Sequence, residues 1–147
     1  MSCVGIVRAG PIFMRHNESD EQQALFRWSK LMQAQYPELS LLHAIGNGGK
    51  RNVIEAARMK REGVKAGVSD VFLPVARGEF HGMYIELKVK GGKTSSSQEW
   101  WIAETTKQGY YSVVCYGWVE ASEVLKKYLV IRANSLILIA IIALNLK

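Results

Sequence analysis

The stretch YIELKVKGG, residues 84–92, places a glutamate and a lysine two positions apart in what reads as a strand. Strand side chains alternate between faces, so Tyr84, Glu86 and Lys88 share one side, and Ile85, Leu87 and Val89 share the other. A solvent-facing ion pair on an edge strand accounts for this pattern unless further acids reach the same face. GVSDVFLP supplies one, with Asp70 at the start of a preceding strand and a short turn through ARGEFHG between the two. Consecutive strands joined by a short connection usually pair, which would bring Asp70 and Glu86 together near one end of the sheet. Two neighbouring carboxylates repel unless a proton or a cation holds them. A hard divalent ion such as Mg²⁺ suits them, because it takes oxygen ligands and keeps several waters. Lys88 would then lie beside the ion, placed to stabilise a charged transition state or orient an attacking water. Glu18 offers a third carboxylate, with Gln22 one turn later, and Glu21 competes for the same role. Acids at a helix start are also ordinary dipole partners.

The elements that must position these groups follow from pattern and punctuation. Asn17 is a good N-cap, and Leu25, Trp28, Leu31 and Met32 recur at helical spacing behind it. That helix ends at YPEL, since the residue before Pro37 avoids the helical region. LSLLHAI reads as a strand, GNGGKR as a loop, and NVIEAARMKREG as a second helix closed by Gly63. VKAGVSDVFLPVA leads into a strand and GMYIELKVK is the next. SQEWWIAETTKQ is a serine-capped helix stopped by Gly109, YYSVVCYG an apolar strand, and WVEASEVLKKYLV a closing helix. The order α-β-α-β-β-α-β-α predicts an α/β fold with a mixed sheet. Trp28, Met32, Trp100, Trp101, Tyr110 and Tyr111 are read as core. His43 and His81 lack metal-ligand spacing and are read as a strand and a turn residue.

The chain has 147 residues, enough for one domain with a sizeable core. Its net charge is +6, which favours a polyanionic partner. Cys3 and Cys115 form no paired zinc motif, so reduced thiols in a cytoplasmic setting are expected. No secretion signal opens the sequence. The apolar run from Leu136 to Leu144 falls short of the roughly 20 residues that a membrane span needs. Residues 1–16 are therefore taken as an irregular lead, 17–130 as the functional domain, and 131–147 as an apolar tail of no assigned role.

GVSDVFLP followed by YIELK resembles the D…ExK core of the PD-(D/E)XK phosphodiesterases. More narrowly, ESDEQQALFRW, HAIGNGGKR, REGVKAGVSDVFLP and GMYIELKVKGGKTSSSQEWW, in this order, resemble the VRR-NUC group. That group includes small standalone nucleases, many from phages, and the C-terminal domain of Fanconi-associated nuclease. The resemblance covers most of the chain, from about Asn17 to about Leu129. It implies a restriction-endonuclease-like core and metal ligation by Asp70, Glu86 and the backbone carbonyl of Leu87. It further implies Lys88 as the catalytic lysine, Glu18 as the helix acid with Glu21 as fallback, and Gln98 at the edge of the active site. The activity implied is a Mg²⁺- or Mn²⁺-dependent DNA endonuclease acting on branched or duplex DNA, with selectivity for structures such as a Holliday junction or flap, in a bacterial or phage-infected cell. A homodimer would supply the two sites that paired cuts need. A nucleic-acid-binding module without catalysis is the alternative.

Basic residues cluster ahead of and behind the acids. Asn47, Gly48, Gly49, Lys50 and Arg51 form a glycine-rich loop whose N–H groups and cations suit phosphate contact. Lys65, Lys90 and Lys93 join them as candidate nucleic-acid contacts, and Arg58, Lys60 and Arg61 serve equally well as a solvated helix face.

Overall fold

A computed structural model describes residues 17–46 and 53–132. The GNGGKR loop from Asn47 onward, residues 1–16 and the apolar tail lie outside them. Among the described residues, four α-helices and four strands follow in the order α1 (Glu18–Met32), β1 (His43–Ala44), α2 (Val53–Arg61), β2 (Val71–Leu73), β3 (Met83–Lys88), α3 (Ser96–Lys107), β4 (Tyr111–Tyr116) and α4 (Trp118–Leu129). The expected order is therefore the observed one. The helix ends follow local chemistry. Asn17 and Asp20 form a reciprocal cap at the start of α1, and Ser95 and Gln98 form another at the start of α3. Gly109 ends α3 with φ of 81°.

LSLLHAI departs from its expected strand. Residues Pro37–Leu41 form a 3₁₀ turn, and only His43–Ala44 pair with β2. Pro37 opens that turn, and the Ser40 hydroxyl donates to the Pro37 carbonyl at 2.7 Å. The apolar run thus buries Leu39 and Leu42 without extending.

The sheet order is β1-β2-β3-β4, antiparallel from β1 to β3 and parallel between β3 and β4. Helix α3 makes the crossover that a parallel pair requires. β3 is thus an interior strand, and its two faces bury different chemistry. Met83, Ile85 and Leu87 join Val71, Leu73 and Cys115 on one side. There Leu25 of α1 and Ala121, Leu125, Tyr128 and Leu129 of α4 close the core. On the other face α3 presents Gln98, Trp101 and Thr105, spaced as one helical stripe. Gln98 meets Glu86, Trp101 packs edge-on to Tyr84 at 5.8 Å, and the Thr105 and Ser112 hydroxyls share a hydrogen bond of 2.7 Å. Trp101 is partly covered in this way, whereas Trp100 is 53% exposed, so only one of the paired tryptophans packs inward. Among the described residues, no helix is long and apolar enough to cross a membrane.

The approach of α3 to the loop before Asp70 demands a glycine. Gly67 has φ of +86°, and a Cβ there would lie 2.4 Å from the Ser97 backbone. Gly63 has a similar φ of +92° but open space around it. Gly67→Ala should therefore cost more than about 2 kcal/mol in chemical denaturation, combining backbone strain and clash, whereas Gly63→Ala should cost about 1–2 kcal/mol from strain alone. Equal losses at the two positions would refute the close-packing account.

Candidate active site

Asp70 immediately precedes β2, and backbone bonds hold it on both sides. Its carbonyl accepts from Ile45 N–H at 2.8 Å, and its carboxylate Oδ2 accepts from Leu87 N–H at 2.8 Å. The second bond crosses from the acid of one strand to the backbone between Glu86 and Lys88. It ties the two halves of the acidic pattern together.

Glu86 is fully buried and Lys88 only 5% exposed, so the pair is not a solvent-facing one on an edge strand. The reason is topological: β4 covers one edge of β3, β2 the other, and α3 covers the face. Lys88 Nζ lies 2.8 Å from Glu86 Oε1 and 3.3 Å from Glu18 Oε1. Gln98 Nε2 donates to Glu86 Oε1, and its own amide oxygen accepts from Ser95 N–H at 2.9 Å. Gln98 is thereby held at both ends. The same side chain completes the cap of α3 and orients the buried glutamate.

Glu86 Oε2 is buried with no hydrogen-bond partner among the described residues. Burial pushes the Glu86 carboxyl up to about 7, against the opposing pull of the Lys88 hydrogen bond, and the neighbouring Asp70 adds to the rise. Asp70 is likewise raised by burial, with the Leu87 N–H bond working the other way. At Lys88 burial acts to lower the pKa. The hydrogen bond and charge of Glu86, then those of Glu18, outweigh it, so the group is held as an ammonium. Two raised carboxyls, one with a dry unpaired oxygen, form a site that a cation would relieve. Among the described residues no three His, Cys, Asp or Glu side chains converge as a metal cage. Asp70 and Glu86 make a two-carboxylate site, which fits a hard ion that retains waters.

The two helix acids are placed differently. Glu18 reaches Lys88, while Glu21 Oε2 accepts from Trp118 N–H at 2.8 Å, at the first turn of α4. That turn begins at Gly117, whose N–H donates to the Lys88 carbonyl at 2.9 Å. No short-range motif announces the Glu21 contact, because its partner lies almost a whole domain away in sequence.

Of the candidate nucleic-acid contacts, Lys65, Lys90 and Lys93 are exposed, the last two on the turn between Lys88 and α3. Asn47, Gly48, Gly49, Lys50 and Arg51 fall outside the described residues. Leu87 is buried within β3 and contributes its N–H to Asp70. His43 and His81 stand apart from the acids. His43 Nδ1 lies 3.0 Å from the Leu41 carbonyl, and the His81 ring packs edge-on to Tyr110 at 5.9 Å.

A family model described as the VRR-NUC domain matches residues 10–118. A solved structure named "VRR_NUC domain protein" is similar at 30% identity and a TM-score of 0.70, covering 80% of this chain and 92% of that one. No curated protein matches.

Glu21→Gln should weaken a charged cap and lower stability by about 1 kcal/mol, with little change in hydrolysis at saturating substrate. Glu18→Gln should do the reverse, leaving thermal unfolding in place and slowing hydrolysis. Paired melting and rate measurements check both, and the opposite ordering of rates would move the helix-acid role to Glu21.

Proposed function

The chain belongs to the VRR-NUC domain family, a family of nuclease domains, and from that premise we propose that it is a divalent-metal-dependent DNA endonuclease selective for branched DNA. One observation carries this reading. A fully buried glutamate with an unpartnered oxygen sits against Asp70 and a lysine held as an ammonium. A module that only binds nucleic acid needs cations on its surface. It gains nothing from burying a carboxylate that a phosphate would repel.

Asp70 and Glu86, with the Leu87 carbonyl, would hold Mg²⁺ or Mn²⁺. Such an ion supplies neutralisation of the charge that builds on the scissile phosphate. The chain's own groups do the rest. Lys88 Nζ, anchored between Glu86 and Glu18, donates to the attacking water or the phosphate oxygen and offsets developing negative charge. Gln98 and Lys88 both engage Oε1 of the Glu86 carboxylate, which leaves Oε2 as the oxygen that would be available to a cation. Glu18, about half exposed at the mouth of the site, is placed to accept a proton or orient water. Attack by water at phosphorus forms a P–O bond and breaks the bond to the 3′ oxygen; Glu18 takes the proton of the attacking water, and the leaving 3′ oxygen takes one from solvent. A 5′-phosphate and a 3′-hydroxyl result. The glycine-rich loop from Asn47 to Arg51, together with Lys65, Lys90 and Lys93, would hold the flanking phosphates.

Asp70→Ala and Glu86→Gln should each reduce cleavage at least about a thousandfold, equivalent to about 4 kcal/mol of transition-state stabilisation, while DNA binding persists. EDTA should stop the wild-type reaction, and Mg²⁺ or Mn²⁺ should restore it. A panel of duplex, flap and four-way substrates reads the selectivity. Cleavage at the wild-type rate in either variant would sink the assignment.

A symmetric junction needs two coordinated cuts, and one domain carries one site. We therefore read the working form as a homodimer related by a two-fold axis. Sedimentation at micromolar concentration, with and without a junction, should show a dimer. A monomer in both conditions that still makes paired cuts would overturn the dimer.

A further inference from the structure

Helix α1 carries charge of opposite sign at its two ends. Glu18, Asp20 and Glu21 crowd its first turn, next to the acidic site. Farther along, Gln22, Gln23, Phe26, Arg27 and Lys30 line an open groove on the helix surface. Phe26 is half-buried and packs against the hydrophobic core, which gives the groove a firm apolar floor. Arg27 and Lys30 are exposed and have no ion-pair partner among the described residues. Arg58, Lys107 and Lys126 are by contrast neutralised locally by Glu62, Glu104 and Glu123. A cation near a helix C-terminus complements the dipole, which explains Lys30 alone. It explains neither Arg27 nor the groove between them.

We infer that this groove is a phosphate-backbone subsite that grips the DNA arm flanking the cut. The inference rests on the nuclease reading above and extends it to residues outside the catalytic cluster. Spacing along the helix supports it. Gln22 stands one turn beyond Glu18, Arg27 and Lys30 turn away from the Glu18 face toward solvent, and Lys30 lies about 18 Å along the helix axis from Glu18, the length of about five base steps of duplex. The chemistry suits a strand backbone, with two unneutralised cations for phosphate oxygens, two amides as neutral donors, and an apolar floor for sugar. The sign gradient also matches a division of labour. Acids at one end repel phosphate unless a cation intervenes, and the basic end holds the strand without one.

The test is the Arg27→Gln/Lys30→Gln double variant, with Lys107→Ala as a charge-removal control. Binding of a fluorescent duplex in chelator is measured against salt. Each phosphate contact adds about 0.9 to the slope of log affinity against log salt, so the double variant should lose about 1.8. The ratio of wild-type to variant affinity should then shrink roughly tenfold between about 50 and 200 mM salt. With Mg²⁺ present, KM for DNA should rise with kcat unchanged, the signature of lost binding rather than lost chemistry. The control should match wild type in both measurements. An unchanged slope and KM, in a protein whose wild type binds and cuts DNA, would overturn the groove and leave the nuclease reading intact. Loss of slope in a protein whose wild type binds DNA but never cuts it would support the groove and sink the nuclease reading.

Discussion

The burial of one carboxylate organises this domain. Glu86 sits at the centre of a four-stranded sheet with no exposure to solvent. An ionised group so placed costs several kcal/mol unless its surroundings compensate. The compensating groups come from two elements, Lys88 from the same strand and Gln98 from α3, while Glu18 of α1 anchors Lys88. Asp70, ahead of β2, is drawn in by the Leu87 N–H bond. One oxygen of Glu86 is left without a partner among the described residues, which sets the arrangement apart from a fully satisfied ion-pair network.

The same constraint explains why α1 and α3 start where they do. Their first turns converge on the end of β3. There the Ser95–Gln98 cap and the acids of α1 satisfy helix termini and orient the site at once. Glu21 extends the pattern to α4 by capping Trp118 N–H, close to the bond from Gly117 N–H to the Lys88 carbonyl. Local helix chemistry and the geometry of the acidic cluster are therefore not separable at this end of the molecule. Gln98 bonds both the Ser95 N–H of the α3 cap and Glu86, so one side chain serves both.

The electrostatics are graded outward from this point. The interior holds raised carboxyls and an anchored ammonium. Around it lie exposed lysines on the turn after β3 and, farther along α1, the exposed cations Arg27 and Lys30. A net charge of +6 is thus consistent with a small acidic centre in a basic frame. That pattern suits a polyanion gripped at several phosphates and cut at one.

Much of this was legible in the sequence because the signals are local. Caps, glycine stops and alternation mark the elements, and the order of strands and helices predicts the mixed sheet. Asp70, Glu86 and Lys88 stand out because strand periodicity places the last two on one face and a short connection adds the first. The tertiary structure alone decided what depends on distant partners. LSLLHAI is apolar enough for a strand, yet Pro37 and the Ser40 hydroxyl turn it into a 3₁₀ segment, leaving two residues to pair. Trp100 and Trp101 are identical in type and adjacent, and only the direction of α3 over the sheet distinguishes the packed one from the exposed one. Glu18 and Glu21 are alike in type, and the spacing to Gln22 favours Glu18 without saying what either one contacts. They separate because strand β3 ends beside one and helix α4 begins beside the other. Residue type and period are carried by neighbours along the chain, whereas burial and pairing are set by which elements close over them, and only folding brings those together.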